Sequence, residues 1–194
     1  ISIKTKLHGL LHLLNSTMFL NVFIVAVLSI PMLYIKNEYP HLKMYFYAMS
    51  FFVVSSVIFY VCYWFMYKKN YGANFKSFIK YTATFFTFFC IAMGFSLHNS
   101  IAVIEGHLRK RSDFIRTPKF NINTITENWK SNKYVKTSLS IHVVFEGLLM
   151  LYFAFGMYSA FVVGNQGDFG LFPFHLMLFL GFGYVFYNSL SSKI

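Results

Sequence analysis

Five long stretches of the chain are almost free of charged residues, and they limit the possible folds more than any other feature. They are residues 18–35, 44–67, 81–97, 141–163 and 170–190, and the one charged residue inside them is Glu146. A helix that crosses a bilayer core needs about 20 apolar residues, so four of these stretches are long enough to span. The same four do not alternate apolar and polar faces, as helices of soluble proteins do. The sequence therefore predicts an all-α, polytopic membrane protein with four transmembrane helices.

The composition agrees with a chain whose main partner is the lipid bilayer. Charged residues make up only 12% of the chain, against roughly 25% in soluble domains. The net charge of +11 would suit nucleic-acid binding, because clustered lysines and arginines neutralise phosphates. Cytoplasmic loops of membrane proteins carry the same basic excess. We therefore expect no nucleic-acid partner.

The distribution of lysine and arginine favours four crossings over five. If all five stretches span, many basic residues lie outside the cell. If the third stretch stays at the cytoplasmic interface, Lys36 and Lys43 are the outside residues among the 17 basic ones, as the positive-inside rule expects. The sequence therefore predicts both termini in the cytoplasm and a location in the cell (inner) membrane.

The third stretch has the pattern of a helix that lies on a membrane surface. Polar residues recur every three or four positions from Lys76 through Lys80 to Thr87, which places them on one helical face. Gly94 then offers a break. We therefore predict broken interfacial or re-entrant helices over residues 76–108.

The remaining organisation is a single helical membrane domain over residues 1–194. Its parts are an interfacial helix at 1–15, two spans within 16–67, the interfacial or re-entrant segment at 76–108, a basic cytoplasmic loop at 109–137 and two spans within 140–190. The chain begins at Ile1 without a methionine, so we expect it to be part of a longer protein.

Cysteine and histidine spacing predicts no metal ligand in this chain. Cys62 and Cys90 lack the spacing of a disulfide framework or a metal site, and we expect both to be buried as small hydrophobic residues. His8 and His12 lie one helical turn apart, a spacing that can hold zinc, but no third ligand accompanies them.

Glu146 is a candidate functional residue because a carboxylate in lipid is costly. His142 lies one helical turn before it. Two interpretations are open: the two residues pair structurally, or Glu146 and His142 line a hydrated channel through the bundle.

The basic loop holds the most specific residues. Thr117 and Lys119 flank Pro118, and Phe114 stands three residues before the threonine. A loop at the membrane surface with a hydroxyl and an ammonium can close over a nucleotide diphosphate, because lysine supplies charge to phosphate oxygens and threonine supplies a hydrogen bond. The alternative is a solvated basic loop that touches anionic lipid.

The sequence GFSLHNSIAVIEGHLRKRSDFIRTPKF, residues 94–120, resembles a segment of the membrane-integrated processive glycosyltransferases of family 2, the cellulose synthase-like enzymes. Those enzymes carry an interfacial helix followed by a gating loop of the form F-x-V-T-x-K. Phe114, Thr117 and Lys119 match this motif, while Arg116 stands where the family usually has Val. Arg-Thr-Pro-Lys is similar to the form in bacterial mannan or glucan synthase-like members.

The resemblance covers nearly the whole chain. Residues 4–15 are similar to the interfacial segment that follows the catalytic domain in bacterial members, and the order of the segments also matches. The resemblance implies a channel-forming, C-terminal membrane region of an enzyme that polymerises a nucleotide-sugar into a β-linked polysaccharide and exports it. The matching loop residues would then gate the nucleotide-sugar site.

The resemblance also implies that catalysis belongs to another domain. The chain has six acidic residues, and none forms the paired aspartate motif of the family. We expect no catalytic residue and no cofactor here, and a divalent metal such as Mg²⁺ in a catalytic domain on this or a separate chain. Two other classes stay open: a non-catalytic membrane subunit or scaffold of an envelope complex, and a small transporter that uses Glu146.

Overall fold

A computed structural model describes residues 2–51, 53–110, 140–164 and 166–191 of the chain. These residues form helices and short turns, with no strand among them. The elements are α1 (Ile3–Leu14), α2 (Thr17–Glu38), a 3₁₀ turn (Pro40–Leu42), α3 (Lys43–Ser50), α4 (Val53–Tyr71), α5 (Phe75–Gly94), α6 (Ser96–His107), α7 (Ile141–Val162) and α8 (Phe172–Ser191). The predicted all-α class is confirmed.

Within the described ranges, four helical segments are long and apolar enough to cross a membrane. They are Thr17–Glu38, Pro40–Tyr71, Phe75–Gly94 and Ile141–Val162. The number agrees with the prediction, and three of the four coincide with predicted spans. The fourth is α5, which we predicted at the interface, whereas α8, a predicted span of 20 residues, is not among them. The reason is chemical, because α8 carries His175 and Asn188, while the lysines of α5 lie near its start.

Polar N-cap residues mark the starts of α5 and α7. Asn74 precedes α5 and Ser140 precedes α7, and each accepts a hydrogen bond from a backbone N–H of the first turn. The donors are Ser77, at 2.7 Å, and His142, at 3.2 Å. Such N-caps satisfy donors that have no intrahelical partner. Helix α7 therefore begins at a defined residue after the basic loop.

Helix α8 is the centre of the packed bundle, since it contacts both α5 and α7. Its Leu178 and Phe182 are fully buried together with Phe153 of α7 and Ala26 of α2. The rings of Phe153 and Phe182 stack with centroids 5.5 Å apart. Because lipid is as apolar as these side chains, close packing rather than exclusion of water holds such helices together.

Two glycines let α5 and α8 approach backbone to backbone. A Cβ added to Gly181 of α8 would overlap the carbonyl oxygen of Cys90, and one added to Gly94 would overlap the carbonyl oxygen of Gly181. Cys90 and Gly94 are small residues one turn apart on α5, a spacing that permits close helix contact in membranes. The contact between α5 and α8 therefore depends on the absence of side chains at these glycines.

The predicted break near Gly94 is confirmed. Helix α5 ends at this residue, Phe95 stands in a turn, and α6 starts at Ser96. Helix α6 then runs beside the first turn of α2, where the Ser100 hydroxyl donates to the carbonyl of Phe19 at 3.2 Å. After α6 the chain therefore lies again beside the start of α2. Re-entrant helices have this course, and their position in the bilayer stays a prediction.

Helices α3 and α4 stand apart from the packed bundle, and neither buries a described residue. Helix α4 packs mainly on α5 through aromatic rings, with Tyr60 and Trp64 at 5.1 and 5.3 Å from the ring of Tyr81. Cys90 of α5 is half-buried, but Cys62 of α4 is exposed. The expectation that both cysteines are buried is therefore wrong for Cys62, because α4 is left with large uncovered faces.

Candidate functional site

The residues predicted for the gating loop lie outside the described residues: Phe114, Arg116, Thr117 and Lys119. The structure describes the helices on either side of that loop. Helix α6 precedes it and α7 follows it. Contacts between these two helices therefore decide how the ends of the loop are held.

A pair between a buried carboxylate and a partly exposed imidazole joins the two helices. Nε2 of His98, on α6, donates to Oε1 of Glu146, on α7, at 2.6 Å. The Glu146 side chain is 1% exposed and that of His98 is 37% exposed. Glu146 thus has a structural partner, but the partner lies on another helix and is not His142.

His142 lies beside this pair, with its ring centroid 5.8 Å from that of His98. Nδ1 of His142 and Oε2 of Glu146 are buried, and neither has a hydrogen-bond partner among the described residues. A buried polar atom without a partner is costly and often marks a place for water or a ligand. These atoms are where a polar molecule could bind, and the channel-lining role of Glu146 and His142 stays a prediction.

The pair links the start of α6, the end of that helix away from the loop, to the start of α7, where the loop ends. His98 lies in the first turn of α6, and Glu146 lies in the second turn of α7. Removing one partner of a buried pair leaves an uncompensated polar group, which costs several kcal/mol. The contact that joins α6 to α7 therefore does not involve residues of the loop.

His175 makes a second buried contact, which sequence reasoning missed. Its side chain is fully buried, and its Nε2 lies 2.9 Å from Oγ of Ser29 on α2. The imidazole stacks on the ring of Phe153, and a Cβ added to Gly156 would lie 3.0 Å from it. A histidine within an apolar stretch is the signal that could have identified this contact.

Asp168, in the turn between α7 and α8, binds the end of α2. Its Oδ2 accepts hydrogen bonds from Lys36 Nζ at 2.7 Å and Asn37 Nδ2 at 3.0 Å, and its Oδ1 accepts one from the backbone of Gly170 at 3.2 Å. Burial raises the pKa of the Asp168 carboxyl, but these hydrogen bonds and the charge of Lys36 outweigh it and hold the pKa below its ordinary value. The end of α2 and the α7–α8 turn therefore lie at the same end of the bundle.

Histidines, cysteines and carboxylates of the described ranges do not form a metal site. No group of three or more of these side chains there could hold a metal ion. His8 and His12 are both exposed on α1, and the cluster of His98, His142 and Glu146 offers the polar groups described above without metal-binding geometry.

Comparisons with known proteins found nothing similar to this chain. No protein-family model, no curated protein and no solved structure matches it. Functional inference therefore rests on the residues and their contacts.

Proposed function

We propose that this chain is the C-terminal, channel-forming membrane region of a processive family 2 glycosyltransferase. The loop motif of Phe114, Thr117 and Lys119 suggests the class. The observation that carries the proposal is the contact between His98 and Glu146 at 2.6 Å, because it ties the helix before the loop to the helix after it.

A contact that anchors the start of α7, where the loop ends, suits a loop that opens and closes. A gating loop changes conformation while its ends keep their places, so that each closure brings the same residues to the substrate. Lys119 would then supply charge to the phosphate oxygens of a nucleotide-sugar, and Thr117 would supply a hydrogen bond. Arg116 would add a further phosphate contact. A diphosphate leaving group gains charge during transfer, so donors placed beside it favour the reaction.

In this proposal the helical bundle conducts the polysaccharide product, and the loop binds the nucleotide-sugar. The growing β-linked polysaccharide would leave the cytoplasm through the membrane beside α7, where the buried Glu146 Oε2 and His142 Nδ1 have no hydrogen-bond partner among the described residues. Transfer itself belongs to the catalytic domain, on this or a partner chain, which also binds Mg²⁺. Both termini of this region would lie in the cytoplasm, in the inner membrane.

Substitutions in the loop of the full-length synthase test the proposal. We expect Lys119→Ala and Thr117→Ala to lower polymer formation in inverted membrane vesicles about tenfold or more, because each removes a group that stabilises the leaving diphosphate. Protein level and membrane insertion should stay unchanged. Lys133→Ala removes the same charge from the same loop outside the motif and is the matched control. Equal activity of Lys119→Ala and Lys133→Ala would contradict the proposal.

A second candidate function is a small transporter that uses Glu146. The observation in its favour is the buried Oε2 without a partner in the described ranges, since carboxylates within membranes commonly take part in ion or proton pathways. Vesicle assays separate the two functions. Solute uptake that is lost in Glu146→Gln, together with indifference to the loop substitutions, would favour the transporter.

A further inference from the structure

A groove separates α6 from the junction of α1 and α2. Its volume is about 540 Å³, within the roughly 300–1,000 Å³ of small-molecule sites. The apolar residues of its two walls are Leu10, Leu14, Phe19, Ala102 and Val103. Gly106 also lines it, and a Cβ added there would meet nothing within 4 Å. The groove is therefore open where α6 lacks a side chain.

Polar and basic groups lie at the end of the groove nearest the loop. His107 is part of the lining, and its Nδ1 donates to the carbonyl of Val103 at 2.8 Å, so Nε2 is the ring nitrogen left for a ligand. Arg109 follows two residues later and takes part in none of the ion pairs of the described residues. Lys110 pairs with Glu105 at the surface. The excess charge at this end of the groove is positive.

Helix α1 presents a surface that fits a membrane interface beside this groove. Leu7 and Leu11 are more than half exposed, although they lie on the same side of the helix as the groove-lining Leu10 and Leu14. Lys4 and Lys6 precede these leucines in the first turn of the helix. A basic amphipathic helix of this kind lies at the boundary between headgroups and acyl chains. Phospholipids are therefore the molecules next to the groove.

We infer that the groove binds one anionic phospholipid, with an acyl chain between α1 and α6 and the phosphate near His107 and Arg109. The apolar walls suit a hydrocarbon chain, and the basic end suits a negative headgroup of the cytoplasmic leaflet. A segment of saccharide fits less well. Each buried hydroxyl needs a hydrogen-bond partner, and the polar side chains of the lining are three, Ser16, Asn99 and His107, beside five apolar ones.

Filling the groove tests the inference on the full-length protein. Dioleoylphosphatidylglycerol is titrated into protein in dodecyl maltoside, and bound lipid is counted by native mass spectrometry alongside the melting temperature. Gly106→Leu places a side chain in the open groove, and we expect at least fivefold weaker binding. Gly9→Leu is the matched control, because a Cβ at Gly9 also meets nothing within 4 Å and Gly9 does not line the groove. Ala102→Phe fills the same groove independently.

The charge of the headgroup is tested in the same assay. Arg109→Gln should weaken binding of phosphatidylglycerol more than that of dioleoylphosphatidylcholine, and wild type should prefer the anionic lipid. Unchanged lipid binding in both Gly106→Leu and Ala102→Phe would overturn the site. Equal binding of the two lipids by wild type would overturn the anionic preference. Displacement of lipid by soluble oligosaccharide would assign the groove to the polymer instead.

Discussion

The contrast between two carboxylates shows how burial changes the contribution of an ion pair to stability. Glu146 is 1% exposed and bonds His98 at 2.6 Å, whereas Glu105 bonds Lys110 at the surface, with side chains 44% and 66% exposed. Exposed pairs contribute between about 0 and 1 kcal/mol, because solvent screens them and both side chains lose freedom. Loss of one partner costs about 3–5 kcal/mol in a fully buried pair, and less here because the His98 side chain is 37% exposed. Removal of the Glu146–His98 contact should therefore lower stability more than removal of the Glu105–Lys110 contact.

Glu146→Gln should lower the free energy of unfolding in detergent by about 1–2 kcal/mol, because a neutral amide replaces the carboxylate that accepts the hydrogen bond of the partly exposed His98. Glu105→Gln is the matched control and should cost less than about 1 kcal/mol. The measurement is the unfolding midpoint in a denaturant titration. A further His98→Gln change should cost less in Glu146→Gln than in wild type, since both changes weaken the same contact. Equal losses in the two single variants would show that the buried contact is not important.

Asp168 should make stability depend on pH in acid. Its pKa in the folded protein lies below the ordinary value of 3.8, so the unfolded chain takes up the proton first. The carboxylate therefore stabilises the fold fully above about pH 4, and this contribution is lost as the pH falls through the lower, folded value. Asp168→Asn should melt below wild type at pH 6, and the difference should shrink below pH 4. Glu38→Gln, at an exposed glutamate of the same helix end, should show no such convergence.

These residue contacts lay largely beyond sequence reasoning. A structural pair between Glu146 and His142 was one of the two open interpretations, but the bond of Glu146 goes to His98, 48 positions away in sequence. Asp168 and Lys36 are 132 positions apart. Such distances carry no local pattern of spacing, so the pairing follows from helix packing. The composition of the apolar stretches could identify Glu146 as a candidate functional residue, and not the residue that it contacts.

Helix α5 and helix α8 illustrate how element packing depends on small residues. Gly181 and Gly94 stand where backbone atoms of the facing helix leave no room for a Cβ. An added methyl in such a place forces the helices apart, and overpacking of this kind costs about 1–3 kcal/mol. A glycine in open space has the opposite effect, because alanine favours the helix by about 0.5–1 kcal/mol.

Gly181→Ala should therefore destabilise the protein by about 2 kcal/mol, while Gly9→Ala should stabilise it slightly. Both changes add one methyl group to a helix, so they differ in packing alone. Thermal unfolding in detergent measures both. A Gly181→Ala variant as stable as wild type would mean that α5 and α8 are not in close contact at this point.

Element boundaries were more predictable than element contacts. The helices α1, α2 and α7 follow from apolar runs and polar caps, which are local features, and the break after Gly94 follows from a glycine beside a polar stripe. The position of α4 at the edge of the bundle does not follow from the sequence, because the runs of α2 and α4 are both long and apolar. That is why Cys62 was expected to be buried and is exposed.

The contacts between helix ends limit how many times the chain can cross the membrane. The end of α6 lies beside the start of α2, and the end of α2 lies beside the turn between α7 and α8. An even number of crossings must therefore separate the start of α2 from the end of α6. If α2 and the segment Pro40–Tyr71 cross, α5 and α6 together must enter and leave on the same side. Full crossing by α5, which its length allows, would break this condition.

Accessibility of single cysteines decides between these courses. In a variant lacking Cys62 and Cys90, a membrane-impermeant thiol reagent should label His41→Cys and Gln166→Cys in intact cells, since both residues are exposed at the end of the bundle that holds Asp168. Ala73→Cys, between α4 and α5, and Ser131→Cys, in the basic loop, should react only after the membrane is opened. The reason is that a re-entrant α5–α6 pair returns the chain to the side from which it came, and the basic residues keep that side in the cytoplasm. Labelling of either Ala73→Cys or Ser131→Cys alone in intact cells would place the two on opposite sides. Helix α5 would then be a true span, and the four-span topology would be wrong.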